Sequence, residues 1–518
     1  MAGTHDRRFQ TLAVALAMLG MAFMAFRLFA HTGGELFYTL DDPYIHLALA
    51  EGILHGHFGI NPGEAASPSS SILYPRLLAL TLAAGLGDWG PLVLNVLPML
   101  GAVWILAGLL ARLRPTPEPA LLVALPVLIL AVNGFALPFT GMEHSLHLWA
   151  SLLIVAGTIR LTETGRAPLW MLLGIVLAPL LRFEGAALAL GGLLALLAWR
   201  RILPAALTLA VLVAAFAAHM ALMKQLGLPP LPSSVMVKSS ASAAAVDSGA
   251  GSALATFGAS FLAAPELSPG LSLMLCLGLI TLCLGLPGPD TRARATVAGL
   301  ALLAGAGHLA AGKYGWFDRY EIYIAGTVLA ALLWLAAPLL RQGNRATGFG
   351  ILLTCLALSG PYFNATLLTP LAARNIQEQQ WQMHRFATEF FPHPVAVNDL
   401  GWTSYRNDSY VLDLWGLGSE EARRMAATGR TPAKMEEIVA RHGVSWAMIY
   451  DSWFPGVIPD SWCHIADLHT IHVTASDGTV AFYLTDPAQE QAMRSALAAF
   501  GASLLPGTAL TVNACTTR

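Results

Sequence analysis

The sequence predicts a polytopic α-helical membrane protein that carries a small α/β domain at its C-terminal end. Three observations predict it. Of 518 residues, 56% are hydrophobic and only 12% charged, about half the charged fraction of a soluble domain. Apolar runs of about 20 residues recur until about residue 367 and then stop. The remaining stretch, about 368–518, mixes short apolar runs with polar ones, as folded soluble domains do. A net charge of −2 gives no nucleic-acid signature, so no nucleic-acid partner is expected.

The first run, Phe9–Ala30, is too long for a signal-peptide core and no small-residue cleavage site follows it, so a retained helix is expected. Further spans are predicted over 90–111, 119–138, 144–160, 168–182, 185–199, 202–222, 269–287, 295–312, 321–340 and 346–367, about eleven helices in all. Cationic connections prefer the cytoplasm. With these helices, Arg7, Arg8, Arg112, Arg114, Arg160, Arg166, Arg200, Arg201, Arg292, Arg294, Arg341 and Arg345 all fall on one side. The N-terminus is therefore expected inside and the tail outside. The stretch 71–87 is read as re-entrant or interfacial, because a crossing there would put Arg112 and Arg114 outside. Two outer loops result, 31–89 and 225–268.

In the tail, HPVAVND (393–399), YVLDLW (410–415), VSWAMIY (444–450) and FYLT (482–485) read as strands. The segments 419–429 and 431–443 read as helices with Ser and Thr caps. Five cysteines show no metal-type spacing. Cys276, Cys283 and Cys355 lie in apolar runs, whereas Cys463 and Cys515 lie in the tail and are predicted to pair.

The unusual chemistry collects on the outer side. Asp41 and Asp42 stand side by side before Pro43. Asp42 is read as a helix cap and Asp41 as free to face a cavity. The next residues are expected to form an amphipathic helix lying on the membrane surface, with His46 on the face of Asp42. A carboxylate at an apolar boundary suits a general base. The TGMEHS turn offers Glu143 and His144, and RFEG places Arg182 and Glu184 between two apolar helices. Lys238 and Arg319, with Tyr320 beside it, are cations against the positive-inside bias and call for an anionic partner such as a phosphate or a lipid headgroup. Each motif also has a structural reading, as a cap, an interfacial turn or a helix boundary. Their convergence on one face favours an enzyme over a transporter or flippase of lipid-linked glycans, which would place polar residues in mid-span. Trp402, Tyr405, Trp415 and Trp453 are candidates for stacking on sugars or for core aromatics.

These segments resemble bacterial GT-C glycosyltransferases of the arabinofuranosyltransferase-like and mannosyltransferase-like branch. The resemblance rests on DDPYIHLALAEGILHGHFGINPGE, SPSSSILYP, TGMEHS, LLRFEGA, LPSSVMVKS, FDRYEIY and NDLGWTSYRNDSYVLDLWGL, in order over about residues 40–417. It implies a GT-C membrane core over 1–367, an extracytoplasmic domain over 368–518 and a bacterial plasma-membrane location. It also implies a polyprenyl-phosphate-linked sugar donor and a glycan or lipid acceptor at the membrane. By the same resemblance Asp41 or Asp42 is the base, and Lys238, Arg319 and Arg182 bind the lipid phosphate. The paired carboxylates would accept Mg²⁺ or Ca²⁺, although the sequence supplies no full set of oxygen ligands.

Overall fold

The computed structural model describes residues 4–113, 118–238, 250–264, 268–285, 290–341 and 345–516. Among these, seven helices are long and apolar enough to cross a membrane: Arg7–His31, Gly87–Ala111, His144–Thr164, Ile202–Gln225, Thr291–Ala311, Ile322–Leu340 and Leu352–Phe390. Three shorter apolar helices, Leu169–Leu181, Gly185–Ala198 and Pro269–Gly285, pack with them. Eleven spans were expected, and length accounts for the difference. Helices of 13 and 14 residues at Leu169–Leu181 and Gly185–Ala198 extend only about 20 Å against a hydrocarbon core about 30 Å thick. The predicted span 119–138 breaks as well. Its helix is Glu118–Leu130, and Asn133 then turns the chain at φ 50° while its side-chain amide donates to the Asp318 carbonyl.

The segment 71–87 contains the helix Tyr74–Ala83, whose ten residues extend about 15 Å and cannot cross. The helix Asp42–Leu54 departs from expectation. It is not an amphipathic surface helix, because nine of its 13 residues are buried. Its faces are covered because it lies between the bundle and the tail domain. The opposite ends of the bundle helices collect arginines. Arg112 pairs with Glu163, while Arg292 donates to the Ala198 carbonyl and lies over the Trp199 ring. Arg114 is outside the described residues.

The helix Arg345–Glu378 runs past residue 367 without a break and leads into the tail. There six strands form one mixed sheet in the order β2-β1-β3-β5-β4-β6. They are β1 (Val395–Val397), β2 (Val411–Asp413), β3 (Trp446–Ile449), β4 (Cys463–His469), β5 (Thr479–Leu484) and β6 (Ala509–Thr516). β1 pairs in parallel with β2 and β3, and the other pairings are antiparallel. Side chains alternate between two cores, as a period of two requires. Val395, Val397, Trp446 and Met448 face the helix Glu490–Gly501, while Ala396, Ala447 and Ile449 face the helices Glu420–Ala427 and Pro432–Arg441. Ser419 and Thr431 cap those last two helices through their side-chain oxygens. Cys463 and Cys515, on neighbouring strands, are joined by a disulfide with a Cα separation of 5.2 Å. Cys276 and Cys355 are buried in the bundle and Cys283 is half-buried.

Candidate active site

The adjacent aspartates part company. Asp41, not Asp42, occupies the cap position of the helix Asp42–Leu54, and its side chain makes no capping bond. Its carboxylate instead accepts from the backbone N–H groups of Gly401 (2.6 Å) and Trp402 (2.8 Å) in the tail domain. A methyl group on Gly401 would lie 2.5 Å from Asp41 Oδ2, so only glycine allows this approach. Asp41 also hydrogen-bonds the carboxyl of Asp399, which accepts from Gln380 and from the Tyr450 hydroxyl. Burial raises the pKa of both Asp41 and Asp399, and for Asp41 the neighbouring charge of Asp399 adds to it. Asp41 is a clamp between two parts of the chain.

Asp42 points the other way, into the bundle. Its Oδ2 accepts from Nη2 of Arg319 at 2.6 Å. Arg319 is fully buried and comes from the loop after the helix Thr291–Ala311. Trp316, Phe317 and Asp318, just before it, all have positive φ. Residues with a Cβ rarely adopt that conformation, and such strain collects at functional sites. Arg319 Nη2 also donates to the Tyr320 hydroxyl, whereas Nε and Nη1 find no hydrogen-bond partner among the described residues.

A second arginine completes the group. The chain leaves the helix Leu169–Leu181 at Arg182 in an extended conformation and re-enters a helix at Gly185. A side chain at Gly185 would strike the Ala178 carbonyl at 2.5 Å, so the RFEG turn needs glycine there. Arg182 donates to Glu143 (2.7 Å) and Glu184 (2.8 Å). Burial works against the charge of Arg182, but the two carboxylates outweigh it and raise its pKa; Arg182 in turn pulls Glu184 down to about 2 despite its burial. The Tyr320 ring lies near both guanidinium groups, 5.2 Å from Arg182 and 4.9 Å from Arg319, and His144 meets its edge. His46 Nε2 stands 3.9 Å from Glu143, and its Nδ1 bonds the Ser69 hydroxyl.

Of the residues singled out in the sequence, Asp42, His46, Glu143, His144, Arg182, Glu184, Arg319 and Tyr320 therefore form one connected group, with Asp41 at its edge. Lys238 ends the short helix Ser233–Lys238, and its side chain lies outside the described residues. Trp402 and Tyr405 are not sugar platforms. Both are buried, and Trp402 stacks on Tyr44 at 4.0 Å. Trp415 and Trp453 are half-buried and pack on each other. Among the described residues no group of three or more His, Cys, Asp or Glu is arranged to hold a metal ion.

The sequence reading missed a second layer beneath the arginines. His147 stacks on the Tyr323 ring at 4.4 Å, and the Tyr323 hydroxyl bonds His308 Nδ1 at 3.0 Å. The signal was present: His144 and His147 are three residues apart and share a helix face. Asp399 was also missed, although it lies in the quoted NDLG segment.

Residues 374–483 match a domain of unknown function, DUF8728. The match covers most of the sheet domain and about a fifth of the chain. No curated protein matches the sequence.

Proposed function

We propose that this chain is an integral-membrane glycosyltransferase of the GT-C type. It transfers a sugar from a polyprenyl-phosphate donor to a glycan or lipid acceptor on the extracytoplasmic face of a bacterial plasma membrane. In this reading the short helices and the Glu118–Leu130 segment complete an eleven-helix core, with the N-terminus inside and the sheet domain outside. One observation carries the proposal. A buried arginine, Arg319, holds the Asp42 carboxylate with one nitrogen and leaves Nε and Nη1 without a partner among the described residues. An unsatisfied buried donor costs about 1–3 kcal/mol, and a phosphate oxygen would remove that cost.

The chemistry follows from the placement. Donor phosphate competes for Arg319 and loosens its hold on Asp42. Asp42 takes the proton from an acceptor hydroxyl. The acceptor oxygen attacks the anomeric carbon, the bond from that carbon to the phosphate oxygen breaks, and polyprenyl phosphate leaves with the electron pair. One displacement inverts the anomeric centre. Arg319 and Arg182 stabilise the leaving charge in a site with little water. Glu143 and Glu184 hold Arg182 in position, and Asp41 fixes the helix that carries Asp42.

The test uses the full-length protein in envelope membranes with a panel of radiolabelled polyprenyl-phosphate sugars. Wild type should label an acceptor from one of them, and Arg319→Ala should lower the rate at least about 100-fold. Chelation with EDTA in the same assay tests the Mg²⁺ or Ca²⁺ expectation. Equal rates in wild type and Arg319→Ala would refute the assignment. The second reading, a flippase for lipid-linked glycans, draws on His147 and His308, which are buried within spans. It predicts movement of a labelled lipid-linked glycan across vesicles with no new glycosidic bond.

A further inference from the structure

Beside the arginine site lies a cavity with different chemistry. It offers about 20 Å³, room for one water-sized group, between the helices Ser268–Gly285, Ile322–Arg341 and Arg345–Glu378, lined by Ser272, Tyr314, Glu321, Ala357, Pro361 and Tyr362 among others. Two polar atoms there are buried without a partner among the described residues, Glu321 Oε1 and the Tyr314 hydroxyl. Glu321 is 3% exposed, and its other oxygen accepts from the Gly315 N–H. Among the described residues, no Lys, Arg or His lines the cavity.

Ser272 and Ala357 also line a neighbouring groove of about 730 Å³ between the helices Ser268–Gly285 and Arg345–Glu378. Its walls are almost entirely apolar, with Leu275, Leu279, Leu282 and Leu353 among them. From Ser272 to Leu282 the helix rises about 15 Å, half of a bilayer core about 30 Å thick. A chain of one leaflet fits that length, with its head at the polar end.

We infer that the cavity and groove together form a binding site for a neutral, hydroxyl-headed lipid, whose chain lies along the groove and whose single hydroxyl enters the cavity to meet Glu321 and Tyr314. A phosphate-headed lipid finds no cation among the described lining residues, whereas the arginine site next to it supplies two. Burial pushes the Glu321 carboxyl, just outside the span, up to about 8, so it carries a proton at neutral pH and can donate. Under the proposed transfer such a lipid lies beside the loop that carries Arg319 and would be an acceptor. The binding stands apart from that reading and is measured without it.

The full-length protein in phosphatidylcholine nanodiscs is irradiated with a diazirine-bearing diacylglycerol, or with phosphatidic acid of the same chains, and the labelled peptides are identified by mass spectrometry. Diacylglycerol should label the helices Ser268–Gly285 and Arg345–Glu378, with phosphatidic acid about tenfold weaker. Glu321→Ala should lower diacylglycerol labelling about tenfold, and Glu321→Gln should retain most of it. Ala357→Trp fills the junction between cavity and groove and should abolish labelling. It keeps the test decisive should Glu321→Ala fail to fold. Equal labelling by both lipids, or wild-type labelling in Ala357→Trp, would overturn the proposal and leave ordinary annular lipid.

Discussion

Asp41 and Asp42 show how one bond along a chain can separate two roles. Asp41 is tied by two backbone N–H groups and by Asp399, while Asp42 faces a cation beside unsatisfied donors. Their fates should differ under mutation. Gly401→Ala drives a methyl group into Asp41 and should destabilise the protein by about 2–3 kcal/mol, seen as a lower melting temperature in detergent. A pH effect belongs here as well. The native pKa values of Asp41 and Asp399 are raised, so the folded state holds protons that the unfolded state releases. The stability from this pair is fully present below about pH 4 and is lost as pH climbs through the raised native values. Asp413, raised to about 6 by burial, acts in the same direction. Asp399→Asn should therefore raise the melting temperature at about pH 8 and flatten the decline from about pH 5. An unchanged slope in that variant would remove the carboxyl pair as its source.

At the scale of elements, the sequence was most legible where a local signal and tertiary packing agree. Ser419 and Thr431 announced the two tail helices and do cap them. The strands around Val395, Val411, Trp446 and Phe482 were visible as β-rich runs between turns. Strands β4 and β6 were not, because a bulge between His464 and Ala466 breaks the alternation of Cys463–His469 and Ala509–Thr516 is a half-exposed edge. The helix Asp42–Leu54 was misread because His46 and Glu51 suggested a face turned to water, whereas His46 bonds Ser69 beside Glu143 and Glu51 accepts from the Arg406 N–H of the tail domain. The disulfide joins β4 to β6 across a separation of 52 residues. Loop-closure entropy for such a loop is worth about 4 kcal/mol. Cys463→Ser with Cys515→Ser should lower the unfolding midpoint of the sheet domain accordingly, and the bundle should keep its helical signal.

For the whole molecule, the sheet domain is docked rather than tethered. Asn61 of the first loop exchanges two hydrogen bonds with the backbone of Val411, as a neighbouring strand would. Tyr410 donates to Glu64, and Tyr405 and Arg406 both reach Asp88. This docking could not be read from the sequence, since its partners lie more than 300 residues apart. The convergence of Asp42, Arg182, Glu143 and Arg319 was legible, because charges at the ends of apolar helices on one membrane face have few places to go. Docking also connects the two aspartates, since the domain holds Asp41 and thereby sets the helix start at Asp42. The most direct measurement is sugar transfer by Asp42→Asn and Asp41→Asn, side by side, at matched expression and with melting temperatures recorded. Loss of transfer by about 100-fold or more in Asp42→Asn at wild-type stability, with Asp41→Asn chiefly losing stability, is the predicted result. Full transfer by Asp42→Asn would contradict the account.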